Sequence, residues 1–220
     1  MADTGPAKAE TLRRRFWAIP KEDRDAHQPF SIRVWRGLSW LERGEKAEDL
    51  EGRFISLWIA FNSIYGHLDE DGRDARDRAS WQTFLARLVK EDAEGVLGRI
   101  VRGQQAGILR IIDNQFLFKP FWLGLPDAAE KLRRSVRRCL KCYNDGSTLA
   151  VLQELFERLY VMRTQVFHGA ATSGSKLNRP ALEQSTGVLA ALVPEMIRIM
   201  ISAGPMVDWG EVCFPPVKEP

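Results

Sequence analysis

Cysteine, histidine and tyrosine are scarce in this chain, three of each in 220 residues. Cys139, Cys142 and Cys213 are odd in number and irregular in spacing, so they make no disulfide framework. Cys139 and Cys142 form a single C-x-x-C with no second pair and no neighbouring histidine. No metal site is expected there, and reduced thiols fit a cytoplasmic protein. The acidic residues of 67–80 lack metal-ligand spacing, and no other metal site or cofactor site is expected. A phosphate-cradling glycine loop and a Ser–His–Asp or Cys–His arrangement are also missing.

Long apolar runs are absent too. The longest candidates, Val188–Val193 and Met196–Ile201, are interrupted by Pro194, Glu195 and Arg198. No transmembrane helix, and so no membrane partner, is expected. The N-terminal residues lack the apolar core of a secretory leader, so none is expected. Net charge is only +3, so any encounter with nucleic acid depends on a local basic patch. Period-two alternation of useful length and internal repeats are both missing, which leaves no strand pattern to compete with helix.

What remains is helical periodicity. Hydrophobic residues make up 45% of the chain and include seven Trp and eleven Phe, enough for one ordinary core. Residues 1–29, polar and broken by prolines, read as a loosely attached arm on which Phe16 and Trp17 could dock. A first helix is predicted from Ser31 to Arg43, with Ile32, Trp35, Leu38 and Leu41 on its apolar side. From Glu48 to Tyr65, Leu50, Phe54, Leu57, Trp58, Phe61, Ile64 and Tyr65 recur at three- and four-residue steps, and Gly66 stops the helix. Residues 67–80 read as a solvated loop, with Ser80 capping the next helix. Shorter helical pieces follow over 92–102 and 104–113.

Residues 116–126 are aromatic and punctuated by proline, an irregular stretch packed on the bundle. A basic helix is predicted over 128–143, capped by Asp127; its cations either track an RNA backbone or form a solvated face. A long helix ends at Gly169, and the last one begins near Pro180. The expected fold is all-α: a bundle of about five main helices with short extra ones. The domain spans residues 30–204, and 205–220 forms a proline-rich tail.

One stretch carries chemistry: Arg163-Thr164-Gln165-Val166-Phe167-His168-Gly169. It sets a permanent cation and a group that titrates near neutral pH at one helix terminus. On a straight helix five residues rotate by about 140° and rise about 7.5 Å, so the two side chains leave different faces. Arginine is long, however, and the chain leaves the helix at His168, so their heads could converge. RNA cleavage by its own 2′-hydroxyl needs a proton shuttle and a cation on the phosphoryl oxygens, and this pair supplies both without a metal. The alternative is an exposed arginine and a terminal histidine that merely complements the helix dipole.

Tyr160 to Gly169 resembles the signature of the HEPN superfamily, an arginine followed by four to six residues and a histidine. Phe54 to Gly66 is similar to the early helix of its Apea-like branch. The two stretches lie within 48–66 and 150–203, about a third of the chain. The resemblance implies a helical bundle that dimerises, with two copies of the motif facing across one composite cleft. It implies a metal-independent endoribonuclease of a toxin–antitoxin or antiviral defence system. Arg163 would hold the scissile phosphate and His168 would move the proton. Thr164 stands where the family often has asparagine and keeps only a hydroxyl. Asn62 is expected to brace the site or make a structural hydrogen bond, and Tyr160 to stack on a base or pack in the core. The partners implied are RNA, a second copy of the chain, and an antitoxin or a nucleotidyltransferase. Some members only bind, so a non-catalytic scaffold or a nucleotidyltransferase accessory subunit is the alternative.

Overall fold

The computed structural model describes residues 8–66, 77–170, 172–176 and 178–216. Among them are eleven α-helices, one 3-10 turn and no strand. The chain is an all-α bundle, as periodicity predicted. In order the helices are α1 (Ala9–Trp17), α2 (Lys21–Ala26), α3 (Gln28–Lys46), α4 (Leu50–Tyr65), α5 (Asp77–Glu91) and α6 (Val96–Gly103). Then come α7 (Gln105–Asp113), the 3-10 turn Gln115–Leu117, α8 (Lys119–Trp122), α9 (Ala128–Asn144), α10 (Thr148–Phe167) and α11 (Arg179–Ala203).

The centre of the core is the seam between α4 and α10. Phe61 packs on Phe156 with ring centroids 4.5 Å apart, and Trp58 meets Tyr160 edge-on at 6.2 Å. As the α4 number rises the α10 number falls, so the two helices run antiparallel. Trp81 and Phe84 of α5 close over the same rings. α11 is long and apolar enough to cross a membrane by length and composition, yet 72% of its apolar window is buried in the bundle. Its broad apolar surface belongs to a central helix packed on α1, α3, α4, α5, α6 and α7.

α3 and α4 pack tightly because Gly37 lets them. A Cβ at Gly37 would lie 2.9 Å from Ile64 Cγ2, closer than side chains approach. α4 starts where Asp49 accepts the Gly52 N–H at 2.6 Å, an N-cap bond. Gly66 ends α4 for a reason of space. Its φ is −58°, but a Cβ there would meet the Asn62 carbonyl oxygen at 2.9 Å.

Four local expectations are corrected. The supposed loose arm contains α1 and α2; Ala9, Leu12 and Phe16 are buried and join the main core. Three apolar side chains at one helical spacing suffice to dock α1 on α3 and α11. Trp35 does not face inward but is 46% exposed, and Arg33 of the same helix is fully buried. Arg33 can be buried because its Nη1 donates to the Ile64 carbonyl at 3.0 Å, while Nε and Nη2 donate to the carbonyls of Gly210 and Glu211. Ser80 is not the start of its helix: α5 already includes Asp77, and Ser80 is buried within it. Residues 67–76 of the expected loop lie outside the described residues. Asp127 precedes α9 without a side-chain capping bond and pairs with Lys131 at 3.0 Å instead.

Candidate functional site

The site is built by the last two turns of α10 and its exit. α10 stays helical to Phe167, and His168 is its cap residue. Gly169 then takes φ +65°, the left-handed conformation that glycine adopts without strain. The Ala170 N–H returns to the Gln165 carbonyl at 2.9 Å, and the Gly169 N–H to the Val166 carbonyl at 3.3 Å. This pair of bonds is the Schellman motif, which satisfies the last carbonyls and fixes the direction in which the chain leaves. His168 is held at that corner, exposed to solvent.

Arg163 has a different environment. Its guanidinium carbon lies 5.0 Å from the Phe167 ring centroid and 5.6 Å from that of Tyr160. Those residues stand four after and three before it, so all three share one helix face. Cation–π contact with two rings holds the side chain along the helix. Its Nε is buried and has no hydrogen-bond partner among the described residues. A buried N–H without an acceptor costs about 1–3 kcal/mol, and Arg13 Nε is left in the same state although Arg13 pairs with Glu42.

The other expected residues separate. Tyr160 joins Arg163 and links it to Trp58. The Thr164 hydroxyl donates to the Tyr160 carbonyl at 3.0 Å, which turns its only donor onto the helix. Asn62 is not buried but exposed, so it needs no internal partner. The antiparallel seam also carries it toward Phe156, whereas Arg163 lies toward the start of α4. Asn62 therefore sits more than a turn away from the motif along the helix axis. Because α10 is regular through Phe167, Arg163 and His168 of one chain leave it about 140° apart.

A cavity of about 460 Å³ lies on the opposite face of the same helix end. Ile55, Phe116, Trp122, Met162, Val166 and Leu182 give it apolar walls. Its polar rim is ordered: Gln165 Nε2 donates to the Phe116 carbonyl at 2.6 Å, and Asn178 Nδ2 donates to Gln165 Oε1 at 3.3 Å. Glu51 accepts from the Gly174 N–H at 3.0 Å and pairs with Arg179 at 2.7 Å, which ties the loop after α10 back to α4. Sequence reading missed this cavity, since its walls come from residues as distant as 51 and 182. The signals within reach were Gln165 inside the motif and the aromatic run from Phe116 to Trp122.

A second concavity of about 480 Å³ runs between α8, α9 and α10. Arg158 lies in its wall, only 4% exposed. The Nε of Arg158 donates to the Ile112 carbonyl at 3.1 Å and its Nη2 to Ser135 Oγ at 2.8 Å, and the Phe118 ring lies 4.4 Å away. Burial pulls the pKa of Arg158 down from the usual arginine value. Cys139 is buried on α9, and desolvation pushes its thiol up to about 12, which makes it neither a nucleophile nor a ready metal ligand. Among the described residues no three of His, Cys, Asp and Glu gather as a metal site.

Comparison of the chain with protein-family models, with curated proteins and with solved structures finds no match to any of them.

Proposed function

We propose that this chain is a metal-independent RNA endonuclease of the HEPN type, active as a dimer and serving a toxin–antitoxin or antiviral system. The observation that carries the reading is a guanidinium held by two rings, that of Arg163, just over a turn before an exposed histidine at a rigid helix exit. The planar guanidinium fork suits two non-bridging phosphate oxygens at once. His168 takes the proton of a ribose 2′-hydroxyl as its oxygen attacks phosphorus. The P–O2′ bond forms and the P–O5′ bond breaks. The 5′-oxygen leaves with a proton supplied by a second imidazole, that of the partner copy. The products are a 2′,3′-cyclic phosphate and a 5′-hydroxyl. The divergence of Arg163 and His168 on one helix supports a cleft completed by a second chain.

The test is incubation of single-stranded RNA with the purified protein in EDTA, beside the Arg163→Ala/His168→Ala variant. Cleavage to cyclic-phosphate ends by the wild type alone is expected. Equal behaviour of the two proteins sinks the reading. A second reading, a non-catalytic binding module, is favoured by the largely apolar cavity beside the motif, whose size suits a small ligand. It predicts no turnover and full tolerance of His168→Gln.

A further inference from the structure

The cavity at the end of α10 has no part in the cleavage chemistry, and its lining is that of a ligand site. It holds about 460 Å³, within the range of about 300–1,000 Å³ that takes small organic molecules. Its apolar walls come from five elements. Ile55 belongs to α4, Phe116 to the 3-10 turn, Trp122 to α8, Met162 and Val166 to α10, and Leu182 to α11. Phe116 and Trp122 are exposed while Met162 and Leu182 belong to the core, so the lining runs from the surface inward. The Trp122 Nε1 donates to the Phe116 carbonyl at 2.8 Å. That N–H is spent, and what Trp122 offers a ligand is ring surface, which suits a flat apolar body.

The polar groups of the lining decide the rest. Gln165 is used at both ends, by the Phe116 carbonyl and by Asn178, and Asn178 Oδ1 in turn accepts from Asn114 Nδ2 at 3.4 Å. The charged residues of the lining are Glu51 and Arg179, and they neutralise each other at 2.7 Å with side chains only 22% and 31% exposed. A phosphate or carboxylate entering here would lose its water and find its cation already taken. A neutral ligand meets no such cost. One acceptor remains for it. The bonds to Glu51 from the Gly174 N–H and from Arg179 Nη1 both fall on Oε1. Glu51 Oε2 accepts from none of the described residues and is open to a donor.

We propose that this cavity binds a neutral, largely apolar ring compound whose one N–H-bearing group, a carboxamide or its like, donates to Glu51 Oε2. The site deepens the binding reading of the same cavity and does not rest on the nuclease one. A wild type that binds such a compound and also cleaves RNA keeps the site and loses only the claim that the module is non-catalytic. One that cleaves RNA but binds no such compound loses the site alone.

The experiment is calorimetric titration of the full chain with 2-naphthamide and with 2-naphthoate, which share a ring system and differ in the charge of the head. One 2-naphthamide per chain is expected, with a Kd of about 100 µM or tighter, and 2-naphthoate should bind about tenfold more weakly or worse. Glu51→Gln should reverse that order. It keeps an oxygen for the Gly174 N–H but leaves Arg179 with only the exposed Glu183, 3.9 Å away, so the carboxylate gains a cation and the amide loses its best acceptor. Ile55→Trp should fill the cavity and abolish binding of both compounds. Trp122→Ala, at an exposed position that does not endanger the fold, should weaken both several-fold. No binding of 2-naphthamide to the wild type would overturn the site. So would 2-naphthoate binding the wild type as tightly as the amide, or Glu51→Gln and Trp122→Ala both behaving as wild type. Binding that disappears as the chain dimerises, followed by sedimentation, would assign the cavity to a second copy and overturn the site as well.

Discussion

Arg33 and Arg163 both lie along helices of this bundle, and their donors meet opposite surroundings. Arg33 is fully buried and directs Nε, Nη1 and Nη2 at three main-chain oxygens, two of them in the tail at Gly210 and Glu211. Burial draws its pKa down to about 10, while the carbonyls keep its donors satisfied. Arg163 is partly buried, is held by two rings, and has an Nε with no acceptor among the described residues. A satisfied guanidinium ties elements together. Among the described residues Arg163 has no main-chain or carboxylate partner and is held by rings, whereas Arg13, whose Nε is also buried without a partner, pairs with Glu42; the contrast is therefore in what holds each guanidinium.

Substitutions can break or sharpen this contrast. The largest effect is expected from Arg163→Ala and His168→Ala, each lowering single-turnover RNA cleavage by about a hundredfold or more. Neither should shift the urea midpoint appreciably, since among the described residues Arg163 is held by ring contacts alone. Arg33→Met should do the opposite. It strands three carbonyls and frees the tail, at a cost of about 3 kcal/mol in urea unfolding, with cleavage per folded molecule unchanged. Loss of cleavage in folded Arg33→Met would erase the distinction.

Smaller effects come from the helix ends. Gly169→Ala places a Cβ at φ +65° and should cost about 1 kcal/mol. It also turns the exit that aims His168, so cleavage should fall several-fold beyond what stability explains. Asp49→Ala removes the α4 N-cap and should also cost about 1 kcal/mol, but without a change in cleavage rate. Equal kinetic effects from the two would mean that the exit of α10 is only a stop.

The helices that bury a continuous stripe were legible in the sequence. α4, α10 and α11 carry their apolar residues at helical spacing, and the basic helix α9 follows its charge pattern. α1 was not, because its apolar face is only Ala9, Leu12 and Phe16 among charged neighbours. The exchange of Trp35 and Arg33 was hidden for a different reason. Composition ranks tryptophan inside and arginine outside, and only carbonyls 31 to 178 residues away reverse that order. Asn62 misled because a polar residue in an apolar helix reads as buried, whereas it lies on a strip of α4 that faces solvent. The motif was visible as residue types, but the fixed exit after Gly169 and the acceptor-free Nε of Arg163 appear only in the folded chain. The concavity between α8, α9 and α10 draws on residues from 118 to 161, whose convergence no local pattern announces.

The most direct measurement is single-turnover cleavage of single-stranded RNA in EDTA by wild type and by Arg163→Lys. Lysine keeps the charge but lacks the Nε donor and the planar fork. Cyclic-phosphate products are predicted from the wild type, with a rate about a hundredfold lower for Arg163→Lys and an unchanged urea midpoint. A wild type that leaves RNA intact, or an Arg163→Lys protein as fast as wild type, would contradict the nuclease reading.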